Sequence, residues 1–324
     1  MIHRYLTALT LILMFNLTSF ASSEKKANDL NATPSAIIHS TNQAYFREQM
    51  NGEMSNYWKN LGQLGYDHPN LYTLFYHLSN SKSRSQSPNT IHVGLLALPY
   101  SKTEYLGWVY WESTPDRGQL NKHGLGIILN PQLSLGIFVK NQFDAFDLKK
   151  NLKPIINFDM GESTELASFD FANYDLGTMG RAIGVRTSVN SCGAGGSLCS
   201  NEQIRLFSLR DPSIREVLRA NIGYFGVYAG EWHQDGTREH FTEELPGVLV
   251  IQSEKNKTYP QILIKATFRN QPLQRVFSVK KNQQGLQTYQ ALTPEIFPLV
   301  DQSESFEDLE LRLKKSSLKA AAKH

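Results

Sequence analysis

Glu231, His233, Arg238 and His240 bring two imidazoles, a carboxylate and a guanidinium into a stretch of ten residues, the nearest thing to a reactive site in the chain. Two imidazoles and a carboxylate can hold a metal at three points and leave other positions open. They can equally run acid–base chemistry, with Glu231 orienting His240, His233 exchanging the proton and Arg238 stabilising negative charge. The same side chains at an exposed hairpin tip can also do no more than meet water.

Which of these applies depends on the backbone beneath them. Aromatic and small residues alternate from Gly223 to Trp232, as a strand requires, and Asp235-Gly236 is a strong hairpin-turn dipeptide. With those two residues at the turn, Gln234 faces Thr237, His233 faces Arg238, Trp232 faces Glu239 and Glu231 faces His240. Phe225, Val227 and Ala229 then share a face with Glu231 and His233, and opposed β-carbons lie roughly 5 Å apart.

A second candidate is aromatic. Trp108 and Tyr110 share one face of an expected strand at 107–112, with Trp111 on the other; such rings serve either as a platform for a sugar or peptide or as packing. Arg215 and Arg219, four apart on an expected helix, can grip an anion or stay solvated. Cys192 and Cys199 are the only cysteines. In an exported chain they are expected to form a disulfide, worth roughly 2.5 kcal/mol for so short a loop, in preference to a nucleophilic Cys192. The sequence has no Gly-x-Ser-x-Gly elbow, His-Glu-x-x-His helix or P-loop, and it points to no particular cofactor.

The elements that carry these residues run in order along the chain. Thr33-Pro34 opens a helical stripe of Ile37, Ile38, Ala44 and Tyr45, resumed by Met54, Tyr57, Trp58 and Leu61. Leu71, Leu74, Phe75 and Leu78 give a further helix at i, i+3, i+4 and i+7. A serine-rich connector at 79–90 has almost nothing to bury. Strands are expected at 92–98, 107–112, 125–130, 133–140 and 155–158, with a turn at Asn130-Pro131-Gln132. From 161 to 208 no periodicity persists, which reads as a long glycine-rich loop. Asp211-Pro212 starts an internal helix with Ile214, Val217 and Leu218 on one face. Strands at 248–252, 261–268, 274–280 and 286–291 follow the hairpin, and a last helix from about 305 to 319 turns Phe306, Leu309 and Leu313 inward. The expectation is an α+β fold: mainly antiparallel sheet, with an N-terminal helical region, one internal helix and a C-terminal helix. The domains are a signal peptide at 1–21, a helical region at 22–90 and a β-rich domain at 91–324.

The net charge of +3 over 324 residues lacks the concentrated positive face that coats nucleic acid. His3 and Arg4 precede an apolar run from Leu6 to Phe20 that ends at Ser19-Phe20-Ala21, which predicts a cleaved secretory signal and no membrane span. His123-Gly124-Leu125 and Glu231-Trp232 resemble fragments of the two active-site boxes of secreted T2-type ribonucleases. That family continues its first box with Trp-Pro and places histidine before Glu-Trp; Gly126-Ile127 and Gly230 stand there instead, so no catalytic role carries over. The signal residues and the cysteine pair together resemble the proteins that Gram-negative bacteria export through a type II system.

These residues favour an exported protein that acts by binding a host or environmental macromolecule. The alternative is a secreted hydrolase using Glu231, His233 and His240, with Arg238 stabilising negative charge. Thiol titration of the denatured, unreduced protein should find no reactive thiol; two would remove the Cys192–Cys199 bridge.

Overall fold

The computed structural model describes residues 53–65, 68–79, 90–113, 130–161, 164–190, 198–210, 212–253, 257–281, 283, 285–299 and 306–321. The expected signal peptide, the helical stripe before residue 53, nearly all of the serine-rich connector, the strand expected at 125–130 up to residue 129, His123-Gly124-Leu125 and Cys192 lie outside them. The chain divides into two units, Met1–Asn60 and Leu61–His324. In the first, helix α1 (Glu53–Asn60) sets the Tyr57 ring edge-on to Trp58, with centroids 5.0 Å apart.

The second unit begins with helix α2 (Leu71–Leu78), whose apolar spacing buries Leu71, Leu74, Phe75 and Leu78. Two antiparallel sheets follow. The first has β1 (Thr90–Ala97), β2 (Glu104–Ser113), β3 (Asn130–Lys140) and β4 (Phe146–Leu148) in sequence order, with β5 (Ile155–Asp159) also paired to β3. The second is a meander of eight strands in which each pairs with the next: β6 (Thr164–Asp175), β7 (Arg181–Asn190), β8 (Leu198–Ser208), β9 (Arg215–Trp232), β10 (Arg238–Gln252), β11 (Gln261–Phe268), β12 (Gln271–Lys281) and β13 (Gln287–Ala291). Helix α3 (Phe306–Ala321) closes the described chain.

Small residues let these layers approach. A β-carbon on Gly107 would lie 2.5 Å from Phe138 and 3.3 Å from Leu74, and one on Gly136 would lie 2.8 Å from Leu78, so α2 rests on that face of the first sheet. On the opposite face Trp108 lies over Gly94 and meets Phe169 of β6 at 5.8 Å, and Phe158 meets Phe207 of β8 at 5.1 Å. The fully buried Arg205 of β8 pins the sheets together, its guanidinium donating to the carbonyls of Asp159 (3.1 Å) and Met160 (2.5 Å). Farther along, the second sheet curls until β13 lies against β9, and Arg215 donates to the Gln287 carbonyl at 2.7 Å. Phe306 of α3 fills that curl, edge-on to Tyr224 and stacked on Phe268.

Thirteen strands against three short helices among the described residues overturn the α+β expectation. The internal helix expected after Asp211-Pro212 is the start of β9. Its apparent helical spacing comes from a bulge: Leu206 pairs Leu218 while Phe207 pairs Glu216, so Val217 is an extra residue and is buried beside Leu218. Arg215 and Arg219 therefore do not share a helix face, and Arg219 pairs with Glu216 at 3.0 Å. The loop expected over 161–208 contains β6, β7 and β8. Its alternation is hidden because polar side chains, Thr164, Thr187, Arg205 and Ser208, occupy buried positions. Asn130-Pro131-Gln132 is not a turn but the first part of β3, paired to Ser113, Glu112 and Trp111.

The contact between Gly94 and Trp108 is the tightest of these joints, because a β-carbon at Gly94 would fall 2.2 Å from the indole. Gly94→Ala should cost about 1–3 kcal/mol of stability through overpacking. Chemical denaturation checks this, and an unchanged midpoint would show that the indole can move aside.

Candidate functional site

The four reactive residues lie where two strands outrun their neighbours. Among the described residues β8 pairs β9 from Arg215 to Val227, and β11 pairs β10 from Gly247 to Gln252. Residues 223–232 of β9 and 238–246 of β10 pair as a ribbon, and from Tyr228 and Phe241 to the tip no third strand joins them among the described residues.

Its tip departs from the expected turn. The amide of His233 donates to the Thr237 carbonyl (2.8 Å) and the amide of Gly236 to the His233 carbonyl (3.1 Å), so the loop is Gln234-Asp235-Gly236, three residues and not two. Gly236 takes the left-handed conformation at φ +82°, and the Asp235 carboxylate accepts from the Thr237 amide and hydroxyl at 2.9 and 2.6 Å. Those hydrogen bonds hold the Asp235 carboxyl below its ordinary pKa. One extra loop residue shifts the register, pairing Trp232 with Arg238. A bulge then shifts it again: Ala229 pairs His240, leaving Gly230 and Glu231 against Glu239 alone.

The expected constellation is thereby taken apart. His240 stands opposite Ala229, Glu231 sits in the bulge, and the exposed His233 lies 3.4 Å from Glu239. Arg238 donates to the Gly230 carbonyl at 2.8 Å and lies over the Trp232 ring, 5.3 Å from its centroid. Among the described residues no three His, Cys, Asp or Glu side chains are grouped to hold a metal.

What the ribbon does assemble is aromatic and acidic. Tyr224, Gly226, Tyr228 and Gly230 alternate on one face of β9, and their cross-strand neighbours on β10 are Leu245, Glu243, Phe241 and, across the bulge, Glu239. The glycines make room for rings: a β-carbon on Gly226 would meet the Tyr228 ring at 2.8 Å, and one on Gly230 would meet Phe241 at 2.6 Å. The hydroxyls of Tyr224 and Tyr228 are hydrogen-bonded, and burial followed by that bond raises the pKa of Tyr224. This line of rings leaves the core at Tyr224 and ends at Phe241, 55% exposed; Trp232, 69% exposed, is carried to the other face by the bulge. The alternation of rings and glycines was visible in the sequence, but only as the mark of a strand.

The second expected site is interior. Trp108 is fully buried and its indole donates to the Leu61 carbonyl at 2.9 Å; Tyr110 and Trp111 are buried as well. With both faces of β2 covered, Trp108 and Tyr110 offer no surface to a ligand. Cys199 is half-buried on β8 opposite Gly226, and burial raises its thiol pKa. Asp170 belongs to a saturated network, accepting from Arg186 (2.7 and 2.9 Å) and the Tyr174 hydroxyl (2.8 Å), while Arg186 also reaches Glu202 at 2.7 Å.

No protein family, curated protein or solved structure matches the chain. No helix among the described residues is long and apolar enough to cross a membrane.

His92, buried opposite Tyr110, yields a pH dependence. Desolvation pulls its pKa from 6.5 down to about 3. The unfolded imidazole takes up a proton as pH falls below 6.5 while the folded one stays neutral, so stability declines through that window by up to about 1.4 kcal/mol per pH unit. The term is intact above 6.5 and fully lost below about 3. Denaturation series at several pH values should give His92→Leu a shallower slope than the parent; equal slopes would refute the assignment.

Proposed function

We propose that this is an exported protein that acts by binding, and that the ribbon of β9 and β10 is its contact element. One observation carries this: the aromatic line that starts in the core as Tyr224 continues past the end of the β8 pairing among the described residues and reaches solvent at Phe241, with Trp232 exposed beside the turn. Burying large rings gives most of the free energy at contact surfaces, and a ring left largely in water at the end of an ordered strand contributes little to the fold. A hydrolase built on Glu231, His233 and His240 has no comparable support, because the register separates His240 from both partners.

The test is a panel of immobilised oligosaccharides, peptides and phospholipid vesicles. It is read with the parent protein and with the double variant Trp232→Ser/Phe241→Ser. The variant should unfold within about 1 kcal/mol of the parent. It should also lose at least roughly tenfold in affinity for whichever class the parent binds, equivalent to about 1.4 kcal/mol. A panel bound equally by both proteins, or by neither, would overturn the proposal.

A further inference from the structure

We infer that the end of the second sheet opposite the ribbon docks on an anionic phospholipid bilayer. It is a second contact surface, and it needs nothing from the ribbon's proposed role.

The topology gathers this end. In a meander alternate connections fall together, so β6–β7, β8–β9, β10–β11 and β12–β13 turn at one end while the ribbon leaves from the other. Contacts tie these connections to one another. Arg210 donates to the Thr178 carbonyl, a β-carbon on Gly177 would lie 2.6 Å from the Thr258 carbonyl oxygen, and Arg215 donates to the Gln287 carbonyl. Two connections of the first sheet join them. The Lys153 amide, between β4 and β5, donates to the Pro212 carbonyl at 2.8 Å, and the Arg181 guanidinium lies 4.3 Å from the centroid of the Tyr100 ring, between β1 and β2.

Charge divides the same way. Counted with the strand residue at either end, these six connections (97–104, 148–155, 175–181, 208–215, 252–261 and 281–287) hold ten lysines and arginines against four carboxylates, a net of +6. The chain's small net charge of +3 conceals it. Lys102, Lys150, Lys153, Arg210 and Lys281 are exposed. Arg181, Arg210 and Arg215 are held by a ring and two carbonyls, neutral groups that aim a guanidinium without cancelling its charge. Residues 228–246, at the ribbon end, carry a net of −4. Near a negative surface such a dipole turns the cationic end toward the lipid and the ribbon away from it.

A bilayer fits this end better than a nucleic acid does. Stacking on bases takes exposed rings, and the rings here, Tyr100 and Tyr259, are half-buried. Leu286, 47% exposed, stands in the connection that begins at Lys281. Lysines beside an exposed leucine match a headgroup layer, which offers phosphate at its surface and acyl carbon beneath.

The probe is a phosphatidylcholine vesicle containing about one-third phosphatidylserine, with binding of the full chain read by co-sedimentation. Pure phosphatidylcholine, which has no net charge, is the control and is also the vesicle that tests the ribbon. The acidic vesicle should take up the protein at least roughly tenfold more strongly than the neutral one, and raising NaCl from about 0.05 M to about 0.5 M should remove most of the difference. Lys150→Glu/Lys153→Glu/Lys281→Glu should weaken binding at least roughly tenfold, and the same three changed to glutamine at least roughly threefold, with thermal unfolding showing that they fold. If the glutamate variant does not fold, the glutamine variant decides. Lys265→Glu, part-way along β11, should change binding less than about twofold, and so should Trp232→Ser/Phe241→Ser at the far end. Equal uptake by the two vesicles, or uptake indifferent to the lysine changes, overturns the inference. Tighter binding of a DNA duplex at equal phosphate, lost in the same lysine variants, also overturns it and makes this end a nucleic-acid surface. Uptake of the acidic vesicle that fails in the ribbon variant and survives in the lysine variants overturns it in favour of the ribbon.

Discussion

The ladder between β8 and β9 is the interaction on which the rest of the second unit depends. β8 carries Arg205 and Phe207, which hold the first sheet, while β9 carries Leu218, Ile222 and Tyr224 into the core enclosed by β10 to β13 and α3. Because every strand of the meander pairs with its sequence neighbour, each gains its hydrogen bonds from a short connection. Only the length of β9, eighteen residues, allows one strand to serve the sandwich at one end and the ribbon at the other. Its bulges make this possible by changing which side chains face inward along the way.

Two means of joining the sheets are combined, and they differ in energetic character. Trp108 over Gly94 and against Phe169 is burial of a large ring in a space shaped by the absence of a side chain, favourable wherever the fit is good. Arg205 is costlier. Desolvation pulls its pKa down to about 10, with the nearby Arg219 adding to the effect, and its two backbone acceptors offset part of that penalty. Such a group registers one sheet against the other because its two carbonyl acceptors are met in one position only.

The ribbon follows different rules from the body. Its rings are exposed where the core rings are buried, its charge opposes that of the chain, and its outer edge ends at Pro246, which cannot donate to a ladder. Carboxylates along an exposed edge keep identical chains from pairing there.

The sequence by itself determined the local elements wherever period and burial agree. The stripe of α2, strand β11 over Gln261–Phe268 and the inward residues of α3 follow from spacing alone, since one face of each is apolar and buried. Tertiary structure decided whatever depends on a neighbour. The start of β9 looked helical because a bulge against β8 imitates helical spacing, and β6 to β8 looked like loop because polar groups find their partners only across the sheets. At the ribbon the sequence supplied the strand and the turn dipeptide. A three-residue loop and one bulge then moved His240 opposite Ala229 and Trp232 beside Arg238. Side chains alternate every residue along a strand, so a slip of one position changes which groups meet, and only the folded pairing specifies the slip.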